Sequence, residues 1–165
     1  MTAPRAIVIM GVAGSGKTTV GELLARELGW RFADADAFHP PENVAKMSAG
    51  VPLTDEDRAP WLAAIRRHLD DCIRRDEGTV VTCSALKPKY RDVLLRNNPH
   101  TALVYLQGTR EQLWARISAR ENHFMKPSML DSQLAALEEP ADALTLNIAP
   151  APAELVISIR RELSL

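Results

Sequence analysis

The chain predicts an α/β fold: a five-stranded parallel sheet flanked by helices. Short apolar runs alternate with segments of 3.6-residue period from end to end. The first run, Ala6-Ile-Val-Ile-Met10, is uninterrupted, as in a strand covered on both faces, and it should be central. It passes into a glycine-rich turn and then into a helical pattern with Val20, Leu23, Leu24 and Leu28 on one face. The 165 residues fit one domain, 1–165, with no internal repeat or linker.

That turn is Gly11-Val12-Ala13-Gly14-Ser15-Gly16-Lys17-Thr18. A string G-x-x-x-x-G-K-[ST] placed between a strand and a helix is a phosphate loop. Its N–H groups and the helix's positive end face an anion, the lysine reaches the β and γ phosphates, and the hydroxyl ligates Mg²⁺. The chain is therefore expected to bind a nucleoside triphosphate.

A short strand, Trp30–Ala33, leads into Asp34-Ala-Asp36-Ala-Phe38-His39-Pro40-Pro41. Alone, such a pair of acids is a solvated loop or a helix cap. Beside a phosphate loop, at a strand's carboxyl end, it reads as metal and acceptor chemistry. Pro41 to Gly50 predicts a short helix with Val44 and Met47 inward. Thr54-Asp-Glu-Asp57 resembles a capping box opening a helix through Trp61, Leu62, Ile65, Leu69, Cys72 and Ile73, with Pro60 fitting only its first turn. Arg58 starts this helix off the apolar stripe, where it could face solvent or the cleft.

Gly78–Cys83 predicts a third strand, followed by Lys87, Lys89 and Arg91; Lys87 and Arg91 are expected in an anion pocket and Lys89 in solvent. The helix after it carries Tyr90, Val93 and Leu94 and stops before Pro99. Ala102–Leu106 is a fourth strand. Neither strand ends in the Asp of motor-type ATPases, and no N-K-x-D motif marks a GTPase. Thr109 caps a helix carrying Leu113, Trp114 and Ile117, with Arg116 and Arg120 one turn apart on a shared face. Glu121 to Pro127 breaks the period before a helix over Ser128–Leu137. This is how a phosphate-closing lid over about 120–140 would be written, with Arg116 and Arg120 toward the nucleotide. Leu144–Ile148 is a fifth strand, and Leu155, Val156, Ile159 and Leu163 face a closing helix.

Composition narrows the partners. Twenty Lys and Arg balance 21 Asp and Glu without a basic stripe, so a small molecule is expected and not nucleic acid. Cys72 and Cys83 fit no zinc or redox spacing and read as reduced and buried. Met1–Arg5 has no apolar signal core and no run approaches a membrane span, so the expectation is a cytoplasmic protein away from the membrane.

These motifs together resemble the small P-loop gluconokinases. The resemblance rests on G-V-A-G-S-G-K-T at 11–18, D-A-D-A-F-H-P at 34–40, N-V-A-K-M at 43–47 and P-L-T-D-E-D-R at 52–58 with P-W-L following. It continues in C-S-A-L-K at 83–87, Y-R-D at 90–92 and H-F-M-K near 123. It implies a P-loop kinase fold and ATP-dependent, Mg²⁺-assisted phosphorylation of D-gluconate at its 6-hydroxyl, in a homodimer. It also implies that Asp36 lies by the acceptor hydroxyl and that His39, Arg58, Lys87 and Arg91 belong to the sugar-acid pocket. Thr18 stands where many relatives carry Ser. Lys17, Asp36 and Arg120 are then the expected catalytic groups, and Thr18 and Asp34 the metal ligands, Asp34 directly or through water. Few aromatics near the acceptor residues favour a sugar acid over a nucleotide acceptor. A shikimate or nucleoside monophosphate kinase and a non-catalytic nucleotide-binding module are the rival readings.

Overall fold

A computed structural model describes residues 2–120 and 126–165. The chain runs β1 (Ala6–Met10), α1 (Lys17–Leu28), β2 (Arg31–Asp34), a 3₁₀ turn (Ala35–Phe38), α2 (Pro41–Ser48), α3 (Asp55–Arg74) and β3 (Thr79–Thr82). It continues through α4 (Pro88–Leu95), β4 (Thr101–Gln107), α5 (Arg110–Ser118), α6 (Pro127–Ala136), β5 (Leu144–Asn147) and α7 (Pro152–Leu163). The strands form one parallel sheet in the order β2-β3-β1-β4-β5. In register, Val8 pairs with Val81 on one side and Leu103 on the other.

All five β1 residues are fully buried, and their alternation divides the interior. Ile7 and Ile9 join a core with Val20 and Leu24 of α1, Leu113 and Ile117 of α5, Leu130 of α6 and Val156 and Ile159 of α7. Ala6, Val8 and Met10 join a second with Trp61, Leu62, Ile65 and Leu69 of α3 and Leu94 of α4. Helices thus cover both faces, and the strand carboxyl ends share one edge of the sheet. Among the described residues no helix is long and apolar enough to cross a membrane. Both cysteines are buried and unpaired.

Three local expectations are corrected. Val44 and Met47 point outward, 48% and 45% exposed; the residue α2 buries is Asn43, whose amide donates to the Asp57 carbonyl at 2.8 Å and to His39 Nδ1 at 3.2 Å. Polar bonds, not apolar packing, therefore set the roll of this short helix. Pro60 sits inside α3, beyond its first turn. The carbonyl it leaves unbonded is that of Glu56, which is exposed and can bond water, so the helix continues. Val93 is also outward, at 40% exposure, with Leu94 carrying the buried contact of α4. The capping box at Thr54 forms as expected, with Asp57 N–H donating to Thr54 Oγ1 at 3.1 Å and Thr54 N–H to Asp57 Oδ2 at 2.9 Å.

His68 of α3 ties that helix to β3. Its Nε2 lies 3.0 Å from Thr79 Oγ1, and its ring packs against Phe38 with centroids 5.3 Å apart. Burial lowers the pKa of His68, as it does that of His39. Between the lowered folded value and the ordinary value of roughly 6.5 the unfolded chain binds more protons, so stability rises with pH through that window. The melting temperature should fall as pH is lowered from 7.5 to 5.5, and His68→Gln should flatten that fall. An unchanged slope in the variant would remove His68 from the account.

Candidate active site

The phosphate loop leaves β1 where the buried sheet ends. Gly14 has φ +84°, and a Cβ there would stand 2.8 Å from Ile117 Cγ1 and 2.9 Å from the Leu113 carbonyl. The loop thus lies directly on α5, an approach only glycine permits. Gly16, at φ +87°, turns the chain into α1. Lys17 Nζ donates to the carbonyls of Gly11 at 2.8 Å and Val12 at 3.2 Å, which folds the ammonium back over the loop. Burial lowers its pKa, while Cys83, Asp34 and Asp36 act in the opposite sense. Ser15 Oγ is buried without a hydrogen-bond partner among the described residues, facing the crowded back of the loop near Gly11.

A cavity of about 310 Å³ opens above this loop. Gly14, Gly16, Lys17, Thr18, Asp34, Asp36, Cys83, Ser84, Arg120 and Gln133 are among its walls. The two acids do meet in one cavity, in a more defined way than a strand end alone would give. Asp34 ends β2 and caps the 3₁₀ turn, accepting the Asp36 N–H on Oδ1 at 2.9 Å. One Asp34 oxygen is therefore engaged and the other is left for a further ligand. Cys83 contributes no nucleophile, because burial pushes its thiol up to about 12.

The residues present fit a magnesium ion. Mg²⁺ is usually held by one or two carboxylates with phosphate oxygens and water, not by an all-protein cage. Asp34, Asp36 and the Thr18 hydroxyl share the cavity with the phosphate loop, while among the described residues no three His, Cys, Asp or Glu cluster into such a cage.

The two arginines of the expected lid separate. α5 ends at Ser118, so Arg120 stands past the helix, exposed and in the cavity wall. Arg116 is half-buried; its guanidinium donates to the Ile148 carbonyl and lies 3.2 Å from where a Gly16 Cβ would be, bracing the loop from outside. Glu121 to Met125, which include the H-F-M part of the H-F-M-K string, lie outside the described residues.

A second cavity, of about 440 Å³, meets the first at Ser84. Its walls include Thr54, Asp55 and Arg58 at the start of α3, Trp61, and Lys87, Lys89 and Tyr90 at the start of α4. Arg58 thus faces the cleft, and Lys87 lies at the N-cap of α4. Arg58 Nη1 donates to the Tyr90 hydroxyl at 3.1 Å, and that hydroxyl donates to Asp55 Oδ1 at 2.8 Å. Lys89 is exposed, as expected, and from there pairs with Asp55 at the edge of this wall. The Lys89 and Tyr90 bonds hold the Asp55 carboxyl below the usual range. Three cations face one carboxylate here, which leaves the wall electropositive.

Arg91 and His39 are corrections to the expected pocket. Arg91 is buried, and its guanidinium donates to the Ala85 and Glu138 carbonyls, each at 2.8 Å; it lines a separate cavity with Leu103 and Glu139. It ties the turn after β3 to the segment after α6. His39 lines neither cavity: its ring stacks on Trp61, with centroids 4.4 Å apart and planes 10° apart, and its Nδ1 accepts from Asn43. The aromatic expectation changes too, since Trp61 and Tyr90 both line the second cavity. One Trp61 face is covered by His39, and Arg58 lies over the Tyr90 ring at 5.4 Å. Ser84, within the C-S-A-L-K string, joins the two cavities, and Gln133, which no sequence motif signals, lines the first.

A phosphate loop beside paired carboxylates, meeting an electropositive second cavity at a strand end, defines a P-loop kinase. Residues 13–149 match the shikimate kinase family model. The chain is 50% identical over 139 residues to a gluconokinase of Gluconobacter oxydans, covering 84% of this chain and 78% of that one. It is 42% identical to the thermosensitive gluconokinase of Escherichia coli, covering 84% and 74%. The crystal structure of a gluconokinase from Sinorhizobium meliloti superposes with a TM-score of 0.86 at 45% identity, covering 99% of this chain and 94% of that one. A shikimate kinase from Bacteroides thetaiotaomicron, at TM-score 0.66 and 20% identity, shares the fold. The chain belongs to the gluconokinase family of P-loop kinases.

Lys17→Met should abolish turnover and leave the circular dichroism spectrum intact, because the ammonium serves the loop and its ligand and not the core. Arg120→Ala should lower kcat/KM with little change in melting temperature, whereas Arg116→Ala should lower both, since Arg116 also holds the Ile148 carbonyl. Matched losses of stability for the two would contradict this division.

Proposed function

We propose that the protein transfers the terminal phosphoryl group of ATP to the 6-hydroxyl of D-gluconate, giving 6-phosphogluconate and ADP. The observation that carries this reading is the meeting of the two cavities at Ser84, which sets a phosphate cradle against an electropositive acceptor wall. The family membership supports the choice of acceptor.

In this reading ATP lies on residues 11–18, and Lys17 and Arg120 neutralise its terminal oxygens. Thr18 and Asp34 would hold Mg²⁺, which would supply positive charge to screen the phosphate oxygens. Asp36, in the wall of the first cavity, takes the proton of the attacking hydroxyl. Arg58 and Lys87, with Lys89, receive the acceptor's carboxylate at the far end of the second cavity. Asp55 and Tyr90 hold the Arg58 guanidinium in place, so the wall is set before substrate arrives. The homodimer and the cytoplasmic setting implied by the resemblance belong to the same reading; light scattering after size exclusion tests the first.

Coupled ADP release in magnesium should appear with gluconate and not with shikimate or nucleoside monophosphates. Release with shikimate alone would move the assignment within the fold, and release with none would leave a nucleotide-binding module.

Within the site, Asp36→Asn should keep ATP binding and lower kcat by about 10²–10⁴, the range for loss of a general base. Asp34→Asn should be partly rescued by raised magnesium. Arg58→Ala and Lys87→Ala should mainly raise the KM for gluconate. Normal turnover by Asp36→Asn together with an unchanged KM in Arg58→Ala would put the acceptor site elsewhere.

A further inference from the structure

The peptide unit between Val12 and Ala13 is held from both sides. Its carbonyl accepts from Lys17 Nζ at 3.2 Å, beside the bond from the same ammonium to Gly11, and from the Ser15 N–H within the turn, also at 3.2 Å. Its N–H donates to Gln133 Oε1 at 2.8 Å, from a residue 120 positions away on α6. A peptide is planar, so its N–H and carbonyl turn together. Rotating this unit would take the carbonyl from Lys17 and bring the N–H, a like pole, toward the ammonium. An N–H in a phosphate loop ordinarily waits for an anion; here a side-chain carbonyl from another element takes it.

The support for Gln133 is itself fixed. Leu130 of α6 is fully buried, and Asp131 accepts from Arg110 of α5 at 2.6 Å. Just past α6, Glu138 N–H donates to the Leu86 carbonyl at 2.8 Å, and Arg91 donates to the Glu138 carbonyl. Leu86 belongs to the turn that also carries Ser84 and Lys87. One line of contacts therefore runs from the acceptor wall through α6 and Gln133 to the peptide that holds Lys17.

We propose that Gln133 is a positioning residue: by accepting the Ala13 N–H it fixes the Val12–Ala13 peptide with its carbonyl toward Lys17, and so aims the ammonium at the transferring phosphoryl group. The proposal rests on the assignment of the first cavity to ATP. Gln133→Met keeps length and bulk but offers the N–H only a weak thioether acceptor. It should lower kcat about tenfold, as expected for about one hydrogen bond's worth of positioning, with the gluconate KM and the melting temperature little changed. Gln133→Glu keeps an acceptor oxygen and should stay nearer the parent than the Met variant.

ATP affinity by calorimetry, in Lys17 and Lys17→Met backgrounds, completes the test. Gln133→Met should weaken ATP in the first background and change nothing in the second, since its action passes through Lys17. An equal loss in both backgrounds, an unchanged kcat in Gln133→Met, or a Glu variant worse than the Met variant would each overturn the proposal. Parent turnover of gluconate is measured alongside. Its absence would sink the acceptor assignment, while the affinity cycle, which needs no acceptor, still decides the role of Gln133.

Discussion

Burial of β1 on both faces is the constraint on which the rest of this structure depends. Alternate residues of one five-residue strand supply two cores, so the strand cannot shift register by one residue without exchanging both apolar sets. Because its neighbours run parallel to it, the ends of β1, β2 and β3 arrive at the same edge. The phosphate loop, the Asp34–Asp36 pair and the Ser84 turn are delivered there as a consequence of that packing. Long-range polar contacts complete the site: Arg58, Tyr90, Lys89 and Asp55 join the starts of α3 and α4, and Gln133 of α6 bonds the loop.

What could be read in the sequence follows the same division. The phosphate loop, the capping box and the order of strands and helices are local patterns, written within a few residues of one another, and the sequence carries them. The placement of Arg91 does not follow from such patterns. Three cations after β3 look alike in one dimension, and only the packing of Glu138 onto Leu86 gives Arg91 two backbone carbonyls to bond while turning Lys89 toward Asp55. His39 is the same lesson in another form: it lies beside the acids in sequence, yet its ring is taken by Trp61 from α3. Val44 and Met47 have the helical spacing of a buried stripe, yet both face outward. A two-turn helix fixed by one buried amide has no need of such a stripe. Gln133 could not be singled out at all, since a glutamine on an amphipathic helix carries no signal until the element it touches is known.

Charge in the acceptor wall is arranged with restraint. Arg58 and Lys89 share Asp55, with the Tyr90 hydroxyl between, whereas the Lys87 ammonium makes no hydrogen bond or ion pair among the described residues. A carboxylate partner for two of the cations keeps them from repelling one another and holds their side chains in place. The third remains an unpaired point charge among the described residues. Under the proposed function such a wall would orient the acceptor's carboxylate through Arg58 and draw it in through Lys87, two tasks that arginine and lysine are suited to divide.

The two cavities also differ in how freely their walls can be rewritten. The acceptor wall comes from the opening turns of α3 and α4, where Asp55 and Lys89 are exposed and owe little to the cores. Substitutions at such positions usually change stability by less than about half a kilocalorie per mole. The donor cradle has no such latitude: Gly14 lies against Ile117 and the Leu113 carbonyl, and any larger residue would have to displace a core helix. Over evolutionary time a lineage built on this scaffold can therefore trade one small anionic acceptor for another by drift at its rim, while its dependence on a nucleoside triphosphate stays locked in by the packing beneath.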